Sequence, residues 1–143
     1  MKRYSDILWT WIMPDYPVTE VRRIWRQHGG KWIVFDRKSR TEDLAFKLVS
    51  FIESGKIEGA KYWNKDPGAI CVYCLDRVRA KVAGILDELG AGKRRVWEYD
   101  FAWDKNIRHP LDFAFSWSAK LRTIIESYGL RGTLRLIREV LKG

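Results

Sequence analysis

The stretch from Ala60 to Cys74 most constrains the fold, because it has the pattern of two short strands joined by a tight polar turn. The turn Asn64–Gly68 contains a proline that fixes φ, a glycine that tolerates positive φ, and Asn and Asp side chains that bond to nearby backbone. The arm Ala69–Leu75 is almost wholly apolar and suits a half-buried pleated surface. The sequence therefore predicts an antiparallel hairpin at the centre of a sheet.

The segments on either side of the hairpin have helical periodicity. Apolar residues recur at helical spacing after Thr41 and again after Asp76, two residues that can cap a helix N-terminus. Trp32–Phe35 and Arg94–Phe101 are predicted strands. The order strand, helix, strand, strand, helix, strand is a split β-α-β: an antiparallel sheet with both helices on one face. The predicted class is α+β in a single domain spanning residues 1–143.

The two ends of the chain add elements to this centre. Leu8–Met13 is a predicted strand that extends the sheet, and a short helix is predicted from Glu20 to Gln27, with Gly29 and Gly30 ending it. Near the C-terminus we expect a helix with an inward face, a break at Gly129–Gly132 and a last helix from Thr133. The residues expected to point inward are Leu121, Ile124, Ile125, Tyr128, Leu134, Ile137 and Leu141.

The charge of the chain is positive and uneven. The formal net charge is +9; residues 1–40 hold nine basic and four acidic residues, and residues 119–143 hold six and two. Such a distribution favours polyanionic partners, with RNA or a nucleotide first. No apolar run is long enough to span a bilayer, so we expect a cytoplasmic protein with no membrane partner. The abundance of Lys, Arg and Glu over Gln and Asn is typical of a thermostable chain.

Both cysteines, Cys71 and Cys74, fall in one predicted strand. An odd offset along a strand points their side chains to opposite faces, where they can share neither a disulfide nor a metal. We therefore predict two buried, inert thiols, and the sequence predicts no cofactor and no metal. The glycine-rich and zinc-binding motifs of common enzyme classes do not occur in it.

Three stretches resemble an uncharacterised family, the basophilic-leukemia-expressed proteins. They are GKWIVFDRKSRTEDL, then GAKYWN with AICVYCLDRVRAKVAGIL, then VWEYDFAWDKNIRHPLDFAFSW, together covering about residues 30–118. The resemblance implies a fold like that of the mRNA cap-binding translation initiation factor, a curved antiparallel sheet backed by helices. The element order predicted from the residues agrees with this fold.

Cap binders of that fold hold a methylated guanine between two tryptophans on loops, and basic residues take the phosphates. The resemblance places Tyr16 and Trp25 in the first of those loops and the turn Asn64–Gly68 in the second. That turn contains neither a tryptophan nor a Trp-Glu pair. The departure argues against cap binding and leaves a generic RNA or nucleotide site.

The face of the sheet away from the helices is the predicted site. Strand alternation puts Lys61 and Trp63 on one face, with Tyr73 facing away from the helices; the phase of the last strand stays open, either Val96 and Glu98 or Trp97 and Tyr99 lining this face. Aromatic rings there would stack bases and cations would hold phosphates. The candidate ligand-binding residues are Lys61, Trp63, Tyr73, Lys65, Arg94, Arg95, Lys105, Arg108 and Trp25.

Three functions remain open from the sequence. The first is a non-enzymatic domain that binds RNA or a nucleotide through this face. The second is a protein-interaction or homo-oligomerisation module that buries the same aromatic residues, and covered aromatics would equally be ordinary core. The third is a metal-dependent hydrolase or nuclease using Glu98, Asp100 and Asp104, which requires the three carboxylates to lie together.

Overall fold

The computed structural model describes residues 1–15, 22–101 and 110–142. Ten helices and strands lie within these ranges. The strands are β1 (Lys2–Ser5), β2 (Trp9–Met13), β3 (Gly29–Asp36), β4 (Gly59–Trp63), β5 (Gly68–Leu75) and β6 (Arg95–Tyr99). The helices are α1 (Arg22–His28), α2 (Lys38–Glu53), α3 (Arg79–Glu88) and α4 (Pro110–Lys142), with a 3-10 turn at Asp76–Val78 before α3.

The six strands form one curved, unclosed antiparallel sheet in the order β1-β2-β4-β5-β3-β6. The predicted hairpin is the pair β4–β5 in its middle, with Lys61 opposite Cys71, and the peptide bond before Pro67 in its turn is cis. The α+β class is confirmed. The sheet order follows from the hairpin, because β2 pairs with β4 on one side and β3 pairs with β5 on the other.

One face of the sheet is covered by α2 and α3, as predicted. Its core contains Leu48, Ile52, Ile70, Val72 and Leu86, none of which has exposed surface. Removing a side chain of this size from water contributes about 1.5–3 kcal/mol to stability. This two-layer core fixes the sheet, and the strand alternation then determines which side chains reach the other face.

The phase of β6 is settled by its register with β3. Trp97 lies opposite Trp32, and Glu98 lies opposite Lys31. Trp97 packs against the core beneath the helices, so Val96 and Glu98 point to the other face. We call that other face the aromatic face, because Trp9, Trp11, Trp63 and Tyr73 lie on it.

Part of the aromatic face is covered by α4. Ile124 and Tyr128 pack against Ile33, Phe35 and Val96 on β3 and β6. The Tyr128 ring meets Phe35 edge to face at 6.0 Å, and its hydroxyl donates a hydrogen bond to the Gly68 carbonyl. The cover therefore lies over β3 and β6.

The N-terminal half differs from prediction at two boundaries. α1 ends directly before Gly29 and Gly30 as predicted, but these two glycines already belong to β3, which was predicted to begin at Trp32. The Trp97 ring lies against Gly30, and a Cβ there would also come within 2.8 Å of the Glu98 carbonyl. Thr41 is buried inside α2, where its hydroxyl donates to the Lys38 carbonyl at 2.8 Å, so it does not cap the helix.

The C-terminal region consists of two helices separated by a break at Gly129, as predicted, and α4 denotes both of them together. Within α4, Gly129 has φ 68° and ψ 175°, a backbone shape that strongly favours glycine. Beyond the kink, Leu134 and Ile137 are 61% and 44% exposed, and Thr133 is buried instead. The inward prediction for these two was wrong, as it was for Leu121 and Ile125, which are 45% and 36% exposed. Neither α4 nor any other described helix is long and apolar enough to cross a membrane.

Candidate functional site

Three aromatic rings form a row on the aromatic face. The rings of Tyr4 and Trp11 stack at 5.8 Å with planes 13° apart, and those of Trp11 and Tyr73 stack at 6.4 Å with planes 10° apart. Trp11 lies opposite Tyr4 and Lys61 in the sheet register. The regular spacing of paired strands thus converts side chains far apart in sequence into one nearly parallel series.

A pocket opens where α1 meets this row. The Trp25 ring from α1 lies 6.2 Å from the Tyr73 ring, tilted by 49°, and its indole N–H donates to Asp100 Oδ2 at 3.0 Å. The pocket that these residues line has a volume of about 270 Å³. Its lining residues are Trp11, Met13, Trp25, Glu58, Lys61, Tyr73 and Asp100.

Lys61 supplies a half-buried ammonium at this pocket. Its Nζ lies 4.4 Å from the ring centroids of both Trp9 and Trp11. Burial lowers the pKa of Lys61, because the charged form loses water. Within the described ranges no carboxylate forms a salt bridge with it. The ammonium therefore keeps donors that an anionic ligand could use.

Lys31, on the same face, is in the opposite situation. Its Nζ donates to Asp100 Oδ1 at 3.0 Å, with the lysine side chain only 16% exposed. Burial alone would lower the pKa of Lys31, but the hydrogen bond and charge of Asp100 outweigh it and raise that pKa. One lysine of the face is thus neutralised inside the protein, and Lys61 is the one available to a ligand.

The carboxylates of the third hypothesis are held by lysines. Although burial would raise the pKa of Asp100, its hydrogen bonds from Trp25 and Lys31 outweigh burial and lower it. Glu98 pairs with Lys120 at 2.9 Å. Asp104 lies outside the described residues, and among those that are described no three His, Cys, Asp or Glu side chains group as metal ligands.

Three of the predicted site residues come together at the pocket: Lys61, Tyr73 and Trp25. Trp63 lies on the same face but is only 9% exposed, with the Trp9 ring edge-on against it at 4.8 Å. It was predicted at the centre of the site; it packs beside Trp9, its cross-strand partner, and its role as a ligand contact stays a prediction. Tyr73 is also largely covered, at 8% exposed, and contributes one wall.

The other predicted cations lie elsewhere. Arg95 is on the helix-covered side, paired with Asp87 at 2.8 Å and lying over the Trp32 ring. Arg94 is exposed just before β6, and its carbonyl accepts a hydrogen bond from the Phe35 amide. Lys65 lies in the β4–β5 turn. The predicted residues Lys105 and Arg108, like Tyr16, fall outside the described ranges.

Four lining residues were not singled out from the sequence as ligand contacts: Trp11, Met13, Glu58 and Asp100. Trp9, Trp11 and Met13 follow each other at intervals of two in a predicted strand, which places all three on one face. That spacing could have identified Trp11 and Met13 as residues of the aromatic face. Asp100 lay in the predicted strand Arg94–Phe101, and in the phase that the structure adopts alternation places it on this face with Val96 and Glu98. Glu58 lies just outside β4, where alternation predicts no direction.

The two cysteines behave as predicted. Both are free and buried, Cys74 in the core beneath α2 and α3 and Cys71 in the aromatic-face cluster. Burial raises the pKa of Cys71 to about 11 and that of Cys74 to about 12. Both thiols therefore stay protonated at neutral pH and are poor nucleophiles.

No protein-family model matches this sequence, and no curated protein is similar to it. The suspected resemblance to the basophilic-leukemia-expressed proteins stays a prediction.

Proposed function

We propose that this chain binds RNA or a nucleotide by placing one base in the pocket between Trp11 and Trp25. The observation that carries the proposal is the Lys61 ammonium, half-buried and without a carboxylate partner among the described residues, at the edge of an aromatic pocket. Nucleotides join a flat aromatic ring to an anion, and this pocket offers a partner for each.

The aromatic part of the pocket suits a base. Trp11 and Trp25 are both partly exposed, so each ring retains surface for a ligand. Stacking of a base on such a ring contributes about 1–3 kcal/mol and accepts any base, because every base has a π-face. A volume near 270 Å³ lies just below the roughly 300 Å³ at which typical ligand pockets begin, and it suits a ligand as small as a single base.

The charged part of the pocket suits a phosphate. Lys61 has three N–H donors, and rings, not carboxylates, surround it on the protein side. A phosphate placed there gains a charge-assisted hydrogen bond and compensates the buried charge. Lys31 could not do this as well, because Asp100 already accepts from it.

The test is a titration of intrinsic tryptophan fluorescence with the four ribonucleoside monophosphates and with a single-stranded RNA of about ten nucleotides. We expect saturable quenching that weakens as salt rises. Trp11→Ala should lower the affinity for both ligand types by about 1–3 kcal/mol.

The matched control is Phe46→Ala on α2, a ring that is 78% exposed and lies on the helix that covers the other face. It should leave the affinity unchanged. Absence of saturable quenching at low salt, or equal losses in the two variants, would contradict the proposal.

A second candidate function, a protein-interaction or homo-oligomerisation module, is favoured by one observation. Leu130, Leu134 and Ile137 are exposed side by side after the α4 kink, and such apolar surface often marks a contact. Sedimentation over a range of protein concentrations tests it. A concentration-dependent oligomer that Leu134→Glu abolishes would support this candidate.

A further inference from the structure

The part of α4 beyond Gly129 carries three exposed arginines on one side. Arg131, Arg135 and Arg138 follow each other at i, i+4 and i+7, so at 100° per residue they share a sector about 60° wide. All three side chains are exposed. We call this sector the arginine ridge.

The charges of the arginine ridge have no acidic partners among the residues that the structure describes. Some other helical cations are paired within a turn: Lys47 with Asp43 at 2.7 Å in α2, and Arg122 with Glu126 at 3.9 Å in α4. Lys38 likewise lies 3.7 Å from Glu42. The three guanidinium groups of the ridge are therefore available to bind an anionic partner.

The position of α4 relates the ridge to the pocket. Before the kink, the helix crosses the aromatic face, from Lys120, which pairs with Glu98, to Tyr128, which donates to the Gly68 carbonyl. Tyr73, at the pocket, and Gly68 are separated by five residues of β5, a span of about 17 Å. The ridge thus begins at the far end of the face that carries the pocket.

We propose that the arginine ridge binds phosphates of the same RNA strand whose base occupies the pocket. The ligand is then single-stranded RNA of several nucleotides, because a mononucleotide cannot reach both places. This inference rests on the proposed function and deepens it by selecting RNA over a free nucleotide. Arginine suits the role, since its planar fork binds phosphate oxygens and can also stack on an unpaired base.

A second copy of the chain is the competing occupant, through the neighbouring apolar side chains Leu130, Leu134 and Ile137. Packing two copies there would bring two sets of arginines close together, and like charges repel. A phosphate chain instead neutralises the ridge and releases its counterions. Charge complementarity therefore favours RNA.

The test compares the wild type with a variant in which Arg131, Arg135 and Arg138 are all replaced by Gln. Affinities for a mononucleotide and for an RNA of about ten nucleotides are measured between about 50 and 200 mM salt. We expect the variant to bind the mononucleotide as before. Its affinity for the longer RNA should fall about tenfold or more, and its salt slope should decrease by about 2, since each phosphate contact on a single strand contributes about 0.7.

The matched control replaces Lys38, Arg40 and Lys47 of α2 by Gln, removing the same formal charge from paired cations. It should change the salt slope much less. The urea midpoint of each variant verifies that it is folded.

The outcomes separate this inference from the proposed function. If the ridge variant keeps the wild-type affinity for the longer RNA while Trp11→Ala loses affinity, the ridge does not contact the RNA and the pocket proposal stands. If the ridge variant loses affinity for the longer RNA and Trp11→Ala does not, the ridge binds phosphate but the pocket proposal fails. A dimer that Leu134→Glu dissociates, with RNA affinity indifferent to the arginines, would overturn the inference in favour of a second copy.

Discussion

The indole N–H of Trp25 donates to the carboxylate of Asp100 at 3.0 Å. This bond joins α1 to the residue that follows β6, across 75 positions of sequence. The other oxygen of the same carboxylate accepts from Lys31. One side chain thus positions a wall of the pocket and neutralises a lysine behind it.

Asp100→Asn separates these two roles. The amide oxygen can still accept from Trp25, but Lys31, whose side chain is 16% exposed, loses its anionic partner. We expect the free energy of unfolding at pH 7 to fall by about 1–3 kcal/mol, with a smaller effect on ligand affinity. Urea denaturation and the nucleotide titration measure the two quantities. An affinity loss as large as that of Trp11→Ala would show that Asp100 contacts the ligand itself.

The same substitution should change the acid sensitivity of the protein. The folded-state pKa of Asp100 is lowered from 3.8, so its contribution to stability is present above that value and is lost as the pH falls through the lower, folded-state pKa. Wild type should therefore lose its advantage over Asp100→Asn below about pH 4. Urea midpoints measured over a pH series provide the check, and parallel curves for the two proteins would contradict the ion pair.

Lys61→Met tests the anion-binding role of the pocket. Methionine keeps an unbranched apolar chain between Trp9 and Trp11 but removes the charge. We expect the affinity for a nucleoside monophosphate to fall more than the affinity for the uncharged nucleoside, because only the former carries the phosphate. Isothermal titration with the matched pair of ligands measures the difference. Equal losses for both would mean that Lys61 acts by packing and not by charge.

Trp63→Ala should mainly lower stability, and Trp11→Ala should mainly lower ligand affinity. Trp63 is buried beside Trp9, so its removal leaves a cavity and should cost about 3–5 kcal/mol of stability. Trp11 is partly exposed at the pocket, so its removal should mainly reduce ligand affinity. Denaturation curves and titrations of both variants decide the assignment. A stable Trp63→Ala that fails to bind would restore Trp63 as a ligand contact.

Gly30→Ala should destabilise the protein, because a Cβ there meets the Trp97 ring and comes within 2.8 Å of the Glu98 carbonyl. We expect a cost of about 1–3 kcal/mol from overpacking. Gly84→Ala is the matched control, since its Cβ would meet nothing within 4 Å and lies in α3, where alanine is favoured by about 0.5–1 kcal/mol. Thermal unfolding should move in opposite directions for the two; a shared direction would contradict the packing around Gly30.

The sequence predicted the site best where the alternation patterns of two paired strands agreed on which face is apolar. Strand alternation in β4 and β5 placed Lys61 and Tyr73 on the face away from α2 and α3, and the register confirms it. Alternation alone left β6 ambiguous, because its two sets of side chains are both partly apolar. Only pairing with β3 decided between them, and pairing is a long-range property.

The prediction failed where local pattern and tertiary packing disagreed. Leu134 and Ile137 lie on the apolar stripe of an amphipathic helix, yet α4 turns Thr133 inward after the kink at Gly129. A helical pattern reveals that one side is apolar but does not reveal what covers it. Alternation likewise gives the face on which Trp63 lies, but its 9% exposure against the Trp9 ring comes only from packing.

The odd spacing of Cys71 and Cys74 gives the chain two native chemical reporters. One sulfur is sealed within each side of β5, so a thiol-specific reagent can reach either only when that side opens. In a Cys71→Ser protein the labelling rate of Cys74 then reports the opening of the helix-covered side. In a Cys74→Ser protein the labelling rate of Cys71 reports the opening of the aromatic face. A ligand that seats on the aromatic face should slow the labelling of Cys71 more than that of Cys74.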